Sequence, residues 1–344
     1  MKATAHQDDF VAELLAPEIA QMVEARRMGQ TRDALAEMRD PEVADVLVLL
    51  EPPQRAIALR LLPEDRAADV FDFFEQDDQE ELVELLHDEH VAQIFNEMDT
   101  DDRVDFLEDA PEAVAESTLA LLEPDERAKT ERILAYPEDS VGRLVTTDYL
   151  IVRPEWTVRQ ALAHVRAEGE EAETLHTLYM IDDAGRLLDH VRLRFIVLAD
   201  PDQYCRELGE GHVVALSAED DREQAVRTME RYDLPVLPVV DRDNILVGIV
   251  TFDDVADVAE EETTEDIHKL GGMGAMTESY FATPLGEVLR KRGVWLFVLF
   301  FGGMLTVTAM GFFHNQLEEK AILALFVPLI IASGGNSGSQ AEIG

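Results

Sequence analysis

The sequence predicts a multidomain chain with an all-α superhelical N-terminal domain, a tandem pair of α/β modules and α-helical transmembrane segments. Short leucine-rich helical units recur before residue 136, and a strand–helix pattern occurs twice between residues 137 and 258. An uncharged apolar run of 21 residues then covers positions 293–313. With 344 residues, the chain is also too long for one compact core.

Charge is the strongest compositional signal. The 72 acidic and 29 basic residues give a formal net charge of −43. Such a surface repels the phosphates of nucleic acids and attracts cations, although adaptation of the whole surface to high salt explains the charge equally well. Cys205 is the only cysteine, which excludes an internal disulfide and predicts a reducing compartment. The first residues, MKATAHQDDF, contain no apolar segment typical of a cleaved signal peptide.

Three similar segments predict the helical superhelix of residues 1–136. They begin at Leu49 (LLEPPQRAIALRLL), Leu61 (LLPEDRAADVFDFF) and Leu121 (LLEPDERAKTERIL). Each has a proline near its start, where a helix does not need the missing N–H. The second and third follow it with acids that suit the helix dipole. Apolar residues then recur at helical spacing, so the helices must stack to bury one face each.

The α/β part consists of two similar modules. Matching Asp182 with Asp241 brings two copies of a strand–helix–strand pattern into register. In the second copy, LPVLPVVDRDNILVGIVTFDDV resembles the core of a CBS domain, a module that senses nucleotides or other ligands. Where this copy has GIVT at 248–251, the first has DHVR at 189–192. We therefore expect the first module to keep its fold and to be degenerate in ligand binding.

The apolar run GVWLFVLFFGGMLTVTAMGFF at 293–313 is long enough to cross a bilayer as a helix. Arg290, Lys291 and Arg292 precede it, and the positive-inside rule then places the N-terminal domains in the cytoplasm. A second apolar run, at 321–332, is too short to cross alone and leads into the polar sequence SGGNSGSQ.

This polar sequence must lie at or near membrane depth. Polar, glycine-rich backbone is tolerated there when it is buried in protein or lines a water-filled path. Gly334 and Gly335 would expose backbone carbonyls, and Asn336 would offer an amide oxygen to a hydrated cation. The pattern favours an ion pore, and the alternative is a seam of small residues at which membrane helices pack.

The order of these features identifies a resemblance to the MgtE family of magnesium transporters and channels. An acidic helical domain, a CBS pair, TEDIHKLGG, a basic linker, a membrane helix and VPLIIASGGNSGSQ follow one another as they do in that family. The family motif P-L-(I/L)-x-x-x-G-G-N-x-G-x-Q is matched from Pro328 to Gln340. The resemblance implies a homodimer with five membrane helices per chain in the cell (inner) membrane. We therefore expect the sequence to stop inside the second helix.

Six segments are predicted on this basis. They are a helical acidic N-terminal domain (1–136), a degenerate first CBS module (137–200), a second CBS module (201–258), a connecting or plug helix with its linker (259–292), transmembrane helix 1 (293–313) and an incomplete transmembrane helix 2 (321–344). The sequence contains no recognisable catalytic triad or dinucleotide-binding loop. We therefore expect no enzyme activity.

Carboxylates at helical spacing are the candidates for metal binding. Asp254 and Asp257 are three residues apart, while Glu262 and Asp266 are four apart. Like charges at these spacings repel on a helix, and Mg²⁺ held through its waters would remove the repulsion. For any single acid, a solvated surface charge is the alternative. The family resemblance implies cytosolic magnesium sensors at Asp69, Asp101, Asp105, Glu223, Asp233, Asp254, Asp257, Glu262, Glu265 and Asp266.

The predicted function is Mg²⁺ transport by a channel gated by cytosolic Mg²⁺. Ions bound between the N-terminal domain, the CBS pair and the connecting helix would hold the pore shut, and without them the carboxylates would repel one another. ATP at the CBS pair is a further expected ligand. Two alternatives remain open: a membrane-anchored adenylate sensor and a CBS-gated transporter of another ion.

Overall fold

The computed structural model describes residues 5–170, 172–270, 297, 300–308 and 311–312. The chain divides into two compact units after Val255. In the first unit, a helical domain is followed by two small sheets. The second unit is described only in helical residues.

Ten α-helices precede the first strand in the described chain, as the predicted helical domain requires. They are α1 (Ala5–Glu24), α2 (Met28–Ala36), α3 (Asp40–Val48), α4 (Pro52–Leu59), α5 (Glu64–Asp72), α6 (Gln76–Leu85), α7 (Asp88–Glu97), α8 (Thr100–Asp109), α9 (Glu112–Leu121) and α10 (Pro124–Leu134). Alternate helices pack together, with α3 against α5, α5 against α7, α7 against α9 and α4 against α6. This packing gives each short amphipathic helix a partner for its apolar face.

The helical domain has an aromatic centre. The ring centroid of Phe95 lies 5.4 Å from that of Phe71 and 4.8 Å from that of Phe106, and all three side chains are buried. The predicted proline positions are confirmed, because Pro52 and Pro124 open α4 and α10 and Pro63 directly precedes α5. Several of these short helices thus begin at or just after a proline, and their apolar faces contribute to one hydrophobic core.

Two three-stranded sheets follow with the same topology. The first contains β1 (Ile151–Val152), β2 (Thr177–Ile181) and β3 (Leu187–Arg192), and the second contains β4 (Leu216–Ser217), β5 (Val236–Val240) and β6 (Leu246–Thr251). In each sheet the central strand pairs in parallel with the first and antiparallel with the third. Helices α11 (Val158–Glu168) and α12 (Leu193–Leu198) accompany the first sheet, and α13 (Glu223–Tyr232) accompanies the second.

The internal repeat is confirmed by the turns. The carboxylate of Asp182 accepts hydrogen bonds from the N–H groups of Ala184 and Arg186 at 2.8 and 2.9 Å, and Asp241 forms the same pair of bonds in the second module. The two turns also meet, since the N–H of Leu187 donates to the carbonyl of Asn244 at 3.0 Å. The two modules therefore form one paired α/β body.

Two contacts fix the helical domain on this body. Val104 of α8 is buried in the same apolar cluster as Leu237 and Val250 of the second module. Thr146, in the segment between the domains, exchanges backbone hydrogen bonds of 3.0 and 3.1 Å with Ile249 of β6. The N-terminal end of α8 is consequently held close to the α/β pair.

The last described α-helix that follows the sheets directly is α14 (Phe252–Leu270). It runs without a break across the predicted boundary between the second CBS module and the connecting helix, at residues 258 and 259. Residues 300–308 are helical as well. Within the described residues, none of the helices combines the length and the hydropathy that a bilayer crossing requires. Of the predicted transmembrane helix 1 (293–313), residues 297, 300–308 and 311–312 are described and helical. All of helix 2 (321–344) lies outside the described residues, including Gly334, Gly335 and Asn336.

Candidate metal-sensing site

Six carboxylates from three segments converge where the start of α8 meets the α/β pair. We call this group the acidic junction; its members are Asp99, Asp101, Asp102, Glu173, Asp253 and Asp254. Two polar contacts fix the segments that carry them. The hydroxyl oxygens of Thr100 and Thr147 lie 3.0 Å apart, and the N–H of Glu173 donates to the carbonyl of Asp148 at 2.8 Å. The junction lies entirely within the first unit.

Helix starts account for the local placement of these acids. Asp101 and Asp102 occupy the first turn of α8, where the helix dipole favours negative charge. Asp254 lies in the first turn of α14 and accepts hydrogen bonds from the N–H and the hydroxyl of Thr251 at 3.2 and 2.6 Å. The first of these bonds satisfies the backbone N–H of Thr251 at the start of α14, as in one half of a capping box. Two helix starts thus bring their acids to one place.

Asp101 is the buried centre of the junction. Its side chain is only 9% exposed, and its Oδ1 has no hydrogen-bond partner within the described structure. Burial, followed by the charges of Asp254 and Asp102, raises the pKa of Asp101 well above its usual range. A buried carboxylate oxygen without a donor is costly, so this position calls for a cation or a proton.

The pKa values of two neighbouring acids, Asp102 and Glu173, are raised as well. Burial raises the pKa of Asp102 to about 8, and the charges of Asp72, Asp99 and Asp254 add to the effect. Burial and the charges of Asp99, Asp253 and Asp254 also raise the pKa of Glu173 to about 8. A hydrogen bond between the carboxyl groups of Glu173 and Asp99 favours the protonated form of Glu173. The assembled junction therefore favours the protonated forms of Asp102 and Glu173 near neutral pH.

Two basic residues near the junction are already engaged. Arg103, which is 1% exposed, pairs with Glu126 at 3.0 Å. Lys129 pairs with the same Glu126 at 2.8 Å and with Asp148 at 3.5 Å. The charge of Arg103 lowers the pKa of Asp99, but burial outweighs it and the net shift is upward. The negative charge of the junction thus exceeds what its basic neighbours supply.

The donor set suits a hydrated hard cation better than a dehydrated one. Among the described residues, no three acids, histidines or cysteines are close enough together to bind one metal ion directly. Mg²⁺ releases its waters reluctantly and is commonly held by one or two carboxylates plus water. Oxygen-only ligands and an unpartnered buried oxygen on Asp101 fit such an ion.

The acids predicted from the sequence have different surroundings. Asp101 and Asp254 come together in the junction, whereas Asp105 is exposed further along α8. Asp69 lies on α5 and is accessible to solvent. Partial burial of its carboxyl group and the charges of Asp40 and Asp99 nevertheless raise its pKa. Asp69 is thereby linked electrostatically to the edge of the junction.

The remaining predicted acids lie elsewhere. Glu223 is engaged in an ion pair with Arg227 one turn along α13. Asp233 ends α13 in a left-handed conformation, with a φ of 53°, and lines a cavity described below. Asp257 and Glu262 lie on α14 in the second unit, while the side chains of Glu265 and Asp266 are outside the described residues.

Four members of the junction, Asp99, Asp102, Glu173 and Asp253, were missed by the sequence prediction. Asp253 directly precedes the predicted Asp254. Asp99 and Asp102 belong to the run DTDDR that contains Asp101, so the dense acid run was an available signal. Helical spacing selected Asp105 instead, although that residue faces solvent. Glu173 had no comparable signal, because only the packing of the two domains brings it to α8.

A second candidate site is a cavity of about 450 Å³ lined by both α/β modules. Tyr179 and Arg192 line it from the first sheet, and Val236 and Pro238 line it from the second. The hydroxyl of Tyr179 is buried and lacks a hydrogen-bond partner among the described atoms. Burial also raises the pKa of Tyr179, so this hydroxyl keeps its proton. The cavity therefore offers aromatic and apolar walls, a hydroxyl donor and a guanidinium.

Comparison with known protein families gives two matches. The model of the MgtE intracellular N domain matches residues 38–139, and the model of the CBS domain matches residues 205–261. Both helices that contribute to the junction, α8 and the first part of α14, lie in matched regions.

Curated relatives carry the same name. The magnesium transporter MgtE of Thermus thermophilus is 39% identical over 243 residues, which are 69% of this chain and 54% of that protein. The magnesium transporter MgtE of Bacillus subtilis is 32% identical over 222 residues, 64% of this chain and 49% of that protein. The chain thus spans about half the length of the curated relatives it matches.

Two solved structures are similar over almost their whole length. The cytosolic domain of the Mg²⁺ channel MgtE in complex with ATP has a TM-score of 0.65 and 34% identity, and the match covers 70% of this chain and 99% of that one. The soluble part of a magnesium transporter has a TM-score of 0.69 and 26% identity, with 73% and 99% covered. The similarity to both therefore includes the helical domain as well as the α/β pair.

Proposed function

The chain belongs to the MgtE family, and on this premise we propose that it is part of a magnesium channel or transporter of the cell membrane. In this proposal the first unit lies in the cytoplasm and senses Mg²⁺ at the acidic junction. The observation that carries the proposal is the buried Asp101. Its Oδ1 has no hydrogen-bond partner within the described structure, and burial and the neighbouring carboxylates raise its pKa. In this proposal the protein to which the chain contributes is a regulated transporter and not an enzyme.

The residues of the junction would act by exchanging protons for a divalent cation. When cytosolic Mg²⁺ is high, Asp101, Asp102 and Glu173 give up their protons, and a hydrated cation compensates their charge. When Mg²⁺ is low, the assembled junction would have to keep these protons at a pH where a separated carboxylate is ionised. This cost, together with repulsion between the acids that stay ionised, would favour separation of the helical domain from the α/β pair. Helix α14 carries Asp254 in its first turn and extends to Leu270, so it would pass this change towards the membrane.

Limited proteolysis and small-angle scattering of the full chain test the sensor. We expect Mg²⁺ at millimolar concentration to slow cleavage and reduce the radius of gyration, because the bound ion holds two domains together. K⁺ at equal ionic strength is the control, since it screens charge but binds carboxylates weakly. Equal protection by K⁺ would mean that the acidity is a general adaptation to salt and that the sensor proposal is wrong.

The stability of the metal-free chain should fall as the pH rises from 6 to 8. The folded pKa of Asp102 and Glu173 is about 8, well above the ordinary value of about 4 for an unfolded acid. The folded chain then holds more protons than the unfolded chain in this range, so the free energy of unfolding decreases with pH, by about 2–4 kcal/mol. Denaturant unfolding in EDTA at a series of pH values measures this decrease.

The double variant Asp102→Asn/Glu173→Gln is the control for this pH dependence, because it keeps shape but cannot titrate. Its free energy of unfolding should change less between pH 6 and 8 than that of the parent. Histidines elsewhere titrate equally in both proteins and cancel in the comparison. Parallel pH profiles for parent and variant would contradict the raised pKa values.

We also assign an adenine nucleotide to the cavity between the modules. The support is the buried, unpartnered hydroxyl of Tyr179 beside Arg192, together with the similar cytosolic domain that was solved in complex with ATP. Tyr179, Val236 and Pro238 would contact the base, and Arg192 would face the phosphates. Nucleotide binding would act on the same α/β pair that forms one side of the acidic junction.

A membrane location is supported by the helical residues 300–308. Phe300 is 62% and Leu305 is 72% exposed, which suits contact with lipid. Thr306 and Thr308 donate their hydroxyls to backbone carbonyls four residues earlier, at 3.0 and 2.8 Å. Polar side chains satisfied by their own helix are tolerated in a bilayer.

The proposed assembly is a homodimer. Val197 and Leu198 at the end of α12 are 60% and 82% exposed, and Phe195 on the same short helix is 36% exposed. A second copy of the chain would cover this apolar surface.

A further inference from the structure

The nucleotide cavity contains an ion pair that a phosphate would have to break. The guanidinium of Arg192 donates two hydrogen bonds to the carboxylate of Glu210, Nε to Oε1 at 2.9 Å and Nη2 to Oε2 at 3.0 Å. The two side chains are 31% and 28% exposed, and both line the cavity. Arginine binds phosphates through this same two-pronged geometry. Glu210 therefore occupies the donors that a ligand phosphate would use.

The segment that carries Glu210 is fixed by the first module. The N–H of Gly211 donates to both carboxylate oxygens of Asp189, at 3.0 and 3.2 Å. A Cβ at Gly209 would lie 2.2 Å from Oδ2 of Asp189, so a side chain there would displace this carboxylate. Glu210 is thus held between two glycines that both lie against Asp189.

The elements of this arrangement come from the sequence DHVR at 189–192, which replaces the GIVT of the second module. Asp189 anchors the loop and Arg192 binds Glu210. His190 lies between them, with Nδ1 3.8 Å from Asp189 and Nε2 3.9 Å from Glu210. The divergence that predicted a degenerate module thus builds a specific set of contacts.

Arg192 is the only arginine or lysine among the described residues that line the cavity. The other charged or titratable groups of the lining are Glu210, Asp233, Tyr179, Tyr232, His176, His190 and His212. With neutral histidines, Arg192 and Glu210 cancel and Asp233 leaves a net negative charge. Such a lining disfavours a polyphosphate relative to an uncharged nucleoside of the same shape.

We infer that Glu210 is a specificity-determining residue that competes with ligand phosphate for Arg192. The inference rests on the proposed nucleotide site. It predicts that the cavity discriminates against ATP relative to adenosine, and that Glu210 is the cause. Movement of Glu210 away from Arg192 would convert the cavity into a phosphate-binding one.

The test is calorimetric titration of the full chain in detergent, at constant ionic strength with EDTA, using ATP and adenosine as probes. Glu210→Gln keeps the shape but removes the charge that competes for Arg192. We expect it to tighten ATP binding about tenfold and to leave adenosine binding unchanged. Glu207→Gln, an exposed glutamate in the preceding turn, is the matched control and should change neither. Arg192→Gln added to Glu210→Gln should abolish the gain.

The possible failures are distinguishable. If the parent binds neither probe, the proposed nucleotide site is wrong and the role of Glu210 is wrong with it. If the parent binds adenosine and Glu210→Gln binds ATP no more tightly, the nucleotide site stands and only the competition is overturned. Weaker adenosine binding by Glu210→Gln would show that Glu210 contacts the ribose, which also overturns the competition.

Discussion

Replacing Arg103 by glutamine should destabilise the chain by about 3–5 kcal/mol, the loss typical of breaking a buried ion pair from one side. Arg103 is 1% exposed and donates to Glu126 at 3.0 Å and to the hydroxyl of Thr130 at 3.1 Å. Its charge also lowers the pKa of Asp99, against the dominant effect of burial. The variant would leave Glu126 with less compensation and deprive the junction of its buried cation.

Denaturant unfolding with and without Mg²⁺ measures this effect. Arg127→Gln is the matched control, because Arg127 pairs with Glu131 one turn along α10 with both side chains about half exposed. Exposed pairs of this kind contribute about 0.3–0.5 kcal/mol. Mg²⁺ should recover part of the stability lost in Arg103→Gln and none in Arg127→Gln. Similar losses in the two variants would contradict the importance of charge compensation at the junction.

The second large effect concerns the dependence of channel gating on cytosolic Mg²⁺. The double variant Asp101→Asn/Asp254→Asn should stay open at Mg²⁺ concentrations that close the parent, with the closing concentration raised about tenfold or more. Asparagine keeps an acceptor oxygen for Thr251, so the start of α14 should survive. The variant loses two of the proposed ligands, so Mg²⁺ should bind more weakly. The other four carboxylates of the junction still repel one another, which favours the open state.

Patch-clamp recording during a titration of cytosolic Mg²⁺ provides the readout. Asp105→Asn, on the exposed side of α8, should leave the closing curve unchanged. Asn336→Ala should lower conduction or selectivity without moving the curve, because Asn336 is proposed to act in the pore. An unchanged closing curve for the double variant would exclude the junction as the sensor. Closure at lower Mg²⁺ would mean that relief of repulsion outweighs ion binding, which contradicts the proposed mechanism.

Much of the fold follows from local sequence patterns. Prolines such as Pro52 and Pro124 fix where helices start, and the matching aspartates Asp182 and Asp241 build equivalent turns. These features depend on interactions within a few residues. For this reason the helical domain and the duplicated module could be predicted without tertiary information.

The acidic junction could be predicted only in part. Helical spacing and family resemblance pointed to Asp101 and Asp254, but Glu173 reaches α8 through the packing of Thr100 on Thr147 and of Val104 against the second module. Spacing along one helix cannot reveal contacts between domains. In a chain with 72 acidic residues, burial decides which carboxylates are under strain, and burial is a tertiary property.

The most direct test of the account is to locate a bound divalent cation by anomalous diffraction. Mn²⁺ can replace Mg²⁺ here because both favour oxygen ligands, and its anomalous signal marks its position independently of the refined coordinates. In crystals of the full chain grown with Mn²⁺, we expect a peak at the acidic junction, next to the carboxylate of Asp101 or separated from it by one water layer, and no such peak in Asp101→Asn/Asp254→Asn. Mn²⁺ peaks confined to other carboxylates, with none at Asp101, would contradict the claim that the junction is the magnesium sensor.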